Sequence, residues 1–276
     1  MIDGRAARFV YPRTMSGVRL SVIGHVEWVT FARAPFVPGP GEIVHLEEPF
    51  SQPAGGGAVT AVALARMGAE VTFYTALGSD GRSQEALEAY GVRVEAARRD
   101  RPQTEVLALL DPAGERTLFV VGENDAPVAA DPLPWDEIAA DAGCYFTGYD
   151  PETVRLGRRA PVLVVTARRF DALAASGVRA DALVGSGRDR GERFDLDRLT
   201  EQPRHVIVTD GARGGSGYDP APVPGPIVDT YGAGDTFVAG VLFGLASGWE
   251  LDPTLAFAAE RAAEALTWRG ALPPLP

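Results

Sequence analysis

The sequence predicts an α/β protein, a body of helices around a mostly parallel sheet with a small β-sheet lid attached, and three observations predict it. Strand-like apolar runs alternate with helical segments along most of the chain,. The alternation is broken once, where two β-rich runs flank Asp111-Pro112-Ala113-Gly114-Glu115, a hairpin pattern,. Finally, a glycine turn, Asp229-Thr230-Tyr231-Gly232-Ala233-Gly234-Asp235, opens a long apolar helix,.

Taken in order, residues 1–17 are polar, arginine-rich and unpatterned and read as an N-terminal extension, leaving 18–276 as a single domain. Arg19 to Gly24 reads as a buried strand, and Pro38-Gly39-Pro40-Gly41-Glu42 as a turn before a second extended segment, Ile43 to Leu46,. From Ala54-Gly55-Gly56-Gly57 the chain enters a small-residue run, Ala58 to Met67, expected to be a buried helix opened by a glycine loop,. Val71 to Ala76 is a strand, and Ser83 to Tyr90 a helix closed by Gly91,. Thr104 to Leu110 and Arg116 to Val121 form the hairpin and, with Ile43 to Leu46, a separate small sheet, so lid segments fall near 29–52 and 95–121. Strands resume at Cys144 to Thr147, Val162 to Thr166, Ala182 to Val184 and His205 to Thr209, before a helical end from Pro253 to Trp268. A cleft between body and lid is a place where a transfer reaction can be kept from water.

Composition narrows the function classes. A net charge of -11 repels phosphate backbones and anionic lipid, which argues against nucleic-acid and membrane partners,. No window is apolar enough to span a bilayer, and the single cysteine, Cys144, cannot close an intramolecular disulfide, so a reducing cytoplasm is favoured,. All 26 basic residues are arginine. Without lysine there is no P-loop, no protein-kinase strand lysine and no Schiff-base nucleophile. Phosphate binding must then use arginine, backbone amides and helix dipoles.

The 229–235 turn supplies such amides. Glycines at 232 and 234 let a ligand approach the backbone, the helix that follows presents unpaired N–H groups, and Asp235 in its first turn is expected to stay ionised there,. Taken alone, the segment reads either as an anion hole with its own general base or as a strand-to-helix turn capped by an aspartate.

With this order of segments in hand, the chain from Arg19 to Leu272 resembles the ribokinase family of PfkB-type sugar and nucleoside kinases. The residues that carry the resemblance are Pro38 to Glu42, Gly55 to Gly57 with the helix ending Ala65-Arg66-Met67-Gly68-Ala69, Gly78-Ser79-Asp80, Gly91-Val92, Val208 to Gly214, and Asp229 to Asp235. The resemblance implies a ribokinase-like three-layer α/β/α body and an ATP-dependent transfer of the γ-phosphoryl group to a hydroxyl of a sugar, nucleoside or related metabolite. It implies that Asp235 is the general base and that the amides of Gly232, Ala233, Gly234 and Asp235 hold the transferring phosphoryl. It places Asp229 beside a monovalent-cation (K+) loop, Thr209 and Gly211 to Gly214 beside the nucleotide, Gly270 over the adenine, and the acceptor near Glu27, Gly55, Gly56 and Gly57.

The departures matter as much. Val29 and Val59 stand where the family carries polar sugar-binding residues, which leaves the acceptor open. The magnesium-associated motif reads Ser186-Gly187-Arg188-Asp189, with Asp189 left to act on Mg2+ through water,. Arg116, beyond the hairpin turn, is a candidate phosphate clamp, and the lid a candidate surface for a homodimer,. The rivals are a catalytically silent nucleotide-binding relative and, more weakly, a dinucleotide-dependent oxidoreductase built on Gly232-x-Gly234.

Overall fold

The computed structural model describes residues 17–112, 116–123 and 125–275. The N-terminal extension up to residue 16 and hairpin-turn residues 113–115 lie outside them. The body is a seven-stranded sheet in the order β11-β10-β9-β8-β1-β4-β5, parallel at every pairing. Its strands are β1 (Arg19–Ile23), β4 (Glu70–Leu77), β5 (Arg93–Arg98), β8 (Gly143–Phe146), β9 (Val162–Thr166), β10 (Ala182–Ser186) and β11 (His205–Thr209).

Side chains alternate across this sheet and divide the core in two. Leu20, Val22 and Tyr145 pack with α1 (Gly56–Arg66), α5 (Ala233–Ala246) and α6 (Leu251–Ala265) on one face. Ile23, Cys144, Phe146 and Leu163 pack with α3 (Pro151–Gly157) and α4 (Phe170–Ser176) on the other. The expected α/β architecture with a small second sheet is therefore present.

The lid differs from the expectation. It is a four-stranded mixed sheet, β3-β2-β6-β7, made of β2 (Glu27–Arg33), β3 (Glu47–Ala54), β6 (Glu105–Leu110) and β7 (Arg116–Val121). The β6–β7 hairpin falls where the sequence puts it. The segment Ile43 to Leu46 does not join: it is outside any strand, and Ile43 is 84% exposed. Its place belongs to β3, which pairs antiparallel with β2, while β2 pairs parallel with β6. The helix α2 (Arg82–Glu88) packs between β3 and β5.

Buried polar contacts fasten lid to body. Gln103 accepts from the Gly78 amide (3.0 Å) and donates to the Val26 carbonyl (2.8 Å), joining the end of β4 to the approaches of β6 and β2. Arg99 grips Asp131 with both terminal nitrogens (2.7 and 2.8 Å), and Arg101 pairs with the buried Asp125. These bidentate pairs fix the segment that enters the lid against the segment that leaves it,.

Candidate active site

The order of strands dictates where a ligand can sit. From β1 the chain works outward through β4 to β5, then returns to β8 on the other side of β1 and proceeds to β11. The carboxyl ends of β1 and β8 thus flank a topological switch point, where open α/β sheets form a crevice. Residues just past those ends, Gly24 and His25 after β1 and Thr147 after β8, form its floor. Gly24 has no room for a side chain because the Thr147 methyl occupies it.

The crevice receives α5 end-on. Gly232 caps this helix in the left-handed conformation (φ 78°), against the Ala271 carbonyl and Val59. The first-turn amides have no intrahelical acceptor. A Cβ added at exposed Gly234 would meet nothing within 4 Å, so the helix end opens on free space. A Cβ on Gly56 would lie 3.1 Å from Asp235 Oδ1 and 3.3 Å from Thr147 Oγ1, so the glycine loop, Thr147 and Asp235 meet at one point. Among the described residues no hydrogen bond or ion pair engages the Asp235 carboxylate; only its backbone carbonyl accepts, from Thr60.

Burial pushes the Asp235 carboxyl up to about 6, with Glu192 reinforcing the shift and Arg168 and Arg116 opposing it. The helix end was expected to keep it ionised, and burial acts against that expectation without overturning it at neutral pH. Desolvation wins because a helix terminus contributes about 0.3–1 kcal/mol, less than the loss of water around a carboxylate. The group is still mainly ionised at neutral pH, and a pKa near the working pH suits a general base.

The acceptor side gathers around β2. Glu27 stands at its start, half-buried, 3.8 Å from His25 Nε2. Burial raises the Glu27 carboxyl, and Arg169 opposes the rise. Burial, with Arg169 and Arg168 nearby, holds His25 down at about 4, so its ring is neutral. Of the three glycines, Gly55 faces the His25 ring and Gly56 faces Asp235, whereas Gly57 is packed between Phe73 and the His25 carbonyl. Val59 is 2% exposed, in the core against Gly232, and Val29 is fully buried. Tyr231, missed in the sequence, closes the crevice: its ring lies edge-on to Phe31 at 5.0 Å and under the Arg116 guanidinium at 5.0 Å.

On the opposite side Thr209 ends β11, and the turn after it is tight. Gly211 (φ 57°) backs onto the Arg188 guanidinium, and a Cβ on Gly214 would sit 2.5 Å from the Tyr218 carbonyl oxygen. Tyr218 stacks on Phe237 of α5, docking the turn against the anion-hole helix. The nearest neighbours of Gly270 are Phe50 and Gln52 of the lid, and its amide donates to Asp229 Oδ2 (3.0 Å). The other Asp229 oxygen accepts from the Tyr231 amide (2.9 Å), so this carboxylate clamps two backbone segments together.

Asp189 is joined by a residue the sequence reading overlooked, Glu192. Arg168 pairs with both, while the Gly191 amide reaches Asp189 Oδ1 (2.7 Å) and the Ser186 amide reaches Glu192 Oε2 (2.7 Å). All four carboxylate oxygens are engaged, and among the described residues no cluster of acidic, histidine and cysteine side chains is arranged to hold a metal. The pair does not fit direct coordination of a divalent ion.

The comparisons with known proteins agree with this fold. Residues 19–168 and 186–276 match the model of the pfkB family carbohydrate kinases. The bifunctional protein HldE of Pelobacter propionicus is 27% identical over 238 residues, 68% of this chain and 46% of its own length. Fructoselysine 6-kinase of Escherichia coli is 39% identical over 72 residues, 24% of this chain and 28% of its own. The chain thus spans less than half the length of these curated relatives. The solved ribokinase of Thermotoga maritima superposes with a TM-score of 0.72 at 20% identity, covering 92% of this chain and 94% of that one. The nucleoside kinase of Methanocaldococcus jannaschii gives 0.69 at 15% identity, with 94% of each chain covered. Arabidopsis thaliana ribokinase, complexed with ribose and ATP, gives 0.72 at 20%, covering 95% and 96%.

Proposed function

Because this chain belongs to the pfkB family of carbohydrate kinases, we propose that it is an ATP-dependent kinase of the cytoplasm that transfers a γ-phosphoryl group to a hydroxyl of a sugar, nucleoside or related polar metabolite. The observation that carries this reading is Asp235: a half-buried carboxylate without a partner among the described residues, poised near pH 6, at the mouth of an open helix N-terminus. A buried charge left unpaired is costly, and such sites concentrate where chemistry is done. Asp235 takes the proton of the acceptor hydroxyl as the acceptor oxygen attacks the γ-phosphorus, the bond from that phosphorus to the β,γ-bridging oxygen breaks and ADP leaves, and the amides of Ala233, Gly234 and Asp235 hold the transferring group. Arg116, over Tyr231, adds positive charge from the lid. ATP is the donor and would bring its own magnesium, which Asp189 and Glu192 can meet only through water.

Purified protein with ATP, magnesium and a panel of sugars, sugar derivatives and nucleosides should consume ATP in an acceptor-dependent way. Replacing Arg116 with alanine is expected to lower kcat/KM about tenfold, since its charge is lid-borne and solvent-screened. Protection by ATP in a thermal-shift assay with no turnover on any acceptor would leave a silent nucleotide-binding protein instead.

We also place a second copy of the chain against the lid. Edge strand β7 exposes apolar side chains on both faces, from Leu118 at 50% to Val121 at 63%, together with an unpaired row of backbone groups,. Sedimentation should give a dimer that Val120→Lys converts to monomer; a monomeric native protein would refute it.

A further inference from the structure

Arg169 has no counter-charge among the described residues of this site. Strand β9 ends at Thr166, and the turn after it delivers two arginines in succession. Arg168 is consumed by Asp189 and Glu192. Arg169 donates through Nε to the Thr147 carbonyl (3.1 Å) and lies 3.8 Å over the Tyr149 ring. Among the described residues no carboxylate lies within ion-pair distance of it. A guanidinium fixed at one nitrogen and on one face leaves its two terminal nitrogens as a preset fork of donors, shaped for a carboxylate or a phosphate.

Its position relative to the base is set by Thr147. The backbone of that residue anchors Arg169, and its hydroxyl faces the Gly56 position that Asp235 Oδ1 also faces. Fork and base therefore address the same crevice from two sides. Between them sits His25, 8% exposed, with a buried Nδ1 that has no hydrogen-bond partner among the described residues. Tyr149, 42% exposed beneath the guanidinium, stiffens the fork and adds an aromatic surface beside it,.

We propose that Arg169 binds an anionic group of the acceptor, so that the substrate is a sugar acid or a sugar phosphate rather than a neutral sugar or nucleoside; this rests on the kinase reading above. The opposing influence is Glu27, the nearest carboxylate on the acceptor side. It lies toward His25, 3.8 Å from Nε2. Arg168 is neutralised by Asp189 and Glu192 and Arg116 lies over Tyr231, so Arg169 is the cation beside Glu27 and His25.

Binding can be measured apart from turnover, which keeps the two readings distinguishable. With a non-hydrolysable ATP analogue present, calorimetric titration would compare gluconate and glucuronate, the monophosphates of glucose and ribose, and the neutral glucose, ribose and adenosine. At least one anionic probe should bind ten times or more tighter than its neutral parent, and whether it is an acid or a phosphate identifies the source of the charge. Arg169→Gln should weaken that probe about 100-fold while neutral compounds change little. Arg169→Lys, which keeps the charge and loses the fork, should fall between them. Neutral parents binding as tightly as the anions, or an Arg169→Gln protein within twofold of native, would overturn the proposal. Anion binding lost in Arg169→Gln but without phosphorylation would keep the subsite and remove the kinase reading. Phosphorylation confined to neutral acceptors would do the reverse.

Discussion

Asp235→Asn is expected to lower kcat about 1,000-fold or more and, at the same time, to make the protein more stable at pH 8. The first effect follows from removing the base, since general-base catalysis contributes roughly 100- to 10,000-fold. The second follows from the displaced pKa. A carboxyl moved from 3.8 to about 6 on folding binds its proton more tightly in the folded state than in the unfolded chain. It therefore favours folding at low pH, loses that advantage as pH rises from 3.8 through 6, and above 6 leaves an ionised group that opposes folding by about 3 kcal/mol. Asparagine has no charge to desolvate and breaks no side-chain hydrogen bond. Its melting temperature should exceed the native one by several degrees at pH 8, and the difference should vanish near pH 4. In the native enzyme kcat/KM should rise with pH through an ionisation near 6, and the residual activity of the variant should lack that limb. Thermal unfolding at three pH values with a matching rate profile tests both. A variant that is inactive but no more stable at pH 8 would show that the carboxylate is not desolvated as described.

The body of the fold was legible in the sequence because its strands are short apolar runs with clear boundaries, as at Val162–Thr166 and His205–Thr209. The lid was harder for a physical reason. Strand β3 is Glu-Glu-Pro-Phe-Ser-Gln-Pro-Ala, poor in β-formers and holding two prolines, and it is a strand because it is an edge that β2 recruits,. The better-looking extended run, Ile43 to Leu46, finds no partner. Strand β5 overlaps the run near 95–121 that the sequence assigned to the lid, yet it is an edge of the body sheet: Arg-Val-Glu-Ala-Ala-Arg carries only a weak alternation. The candidate site divides the same way. Gly232, Gly234 and Asp235 were readable because the anion hole is one contiguous turn. Thr147, Arg169 and Glu192 come from separate loops that meet only because β8, β9 and β10 end side by side. Counting along Ser186 to Asp189 stopped one short helical turn before Glu192, which the segment Arg190–Glu192 swings back to Ser186 and Arg168. The basic pair directly after an apolar strand was the one signal that could have drawn attention to Arg169.

Gly240→Val is the substitution expected to damage stability most, and its effect should reach the site through α5. Gly240 lies seven residues beyond Ala233, on the helix face packed against α6, where an added Cβ would be 2.6 Å from the Ala258 Cα and 2.9 Å from its Cβ. One turn on, a Cβ at Gly244 would be 2.6 Å from Thr254 Oγ1, so the pair forms a seam that only glycine permits,. Replacing a mid-helix glycine ordinarily gains about 0.5–1 kcal/mol of helix propensity, but here the obstacle is backbone and cannot rotate away. Overpacking of this kind costs typically about 1–3 kcal/mol, and a β-branched side chain puts Gly240→Val at the upper end, a fall in melting temperature of about 6–12 °C. The two helices can separate only by moving α5 or α6. Because α5 carries Asp235 and the anion hole, a displacement of about 1 Å at its start is enough to cost about 100-fold in rate. Gly225→Ala, whose nearest neighbour would be the Thr267 methyl at 3.7 Å, is the matched control and should stay within about 0.5 kcal/mol of native,. Melting curves and kcat measured below the transition of each protein decide the point. If Gly240→Val melts with Gly225→Ala, the seam is not closed as tightly as described; if it melts early but keeps native kcat, α6 and not α5 gives way.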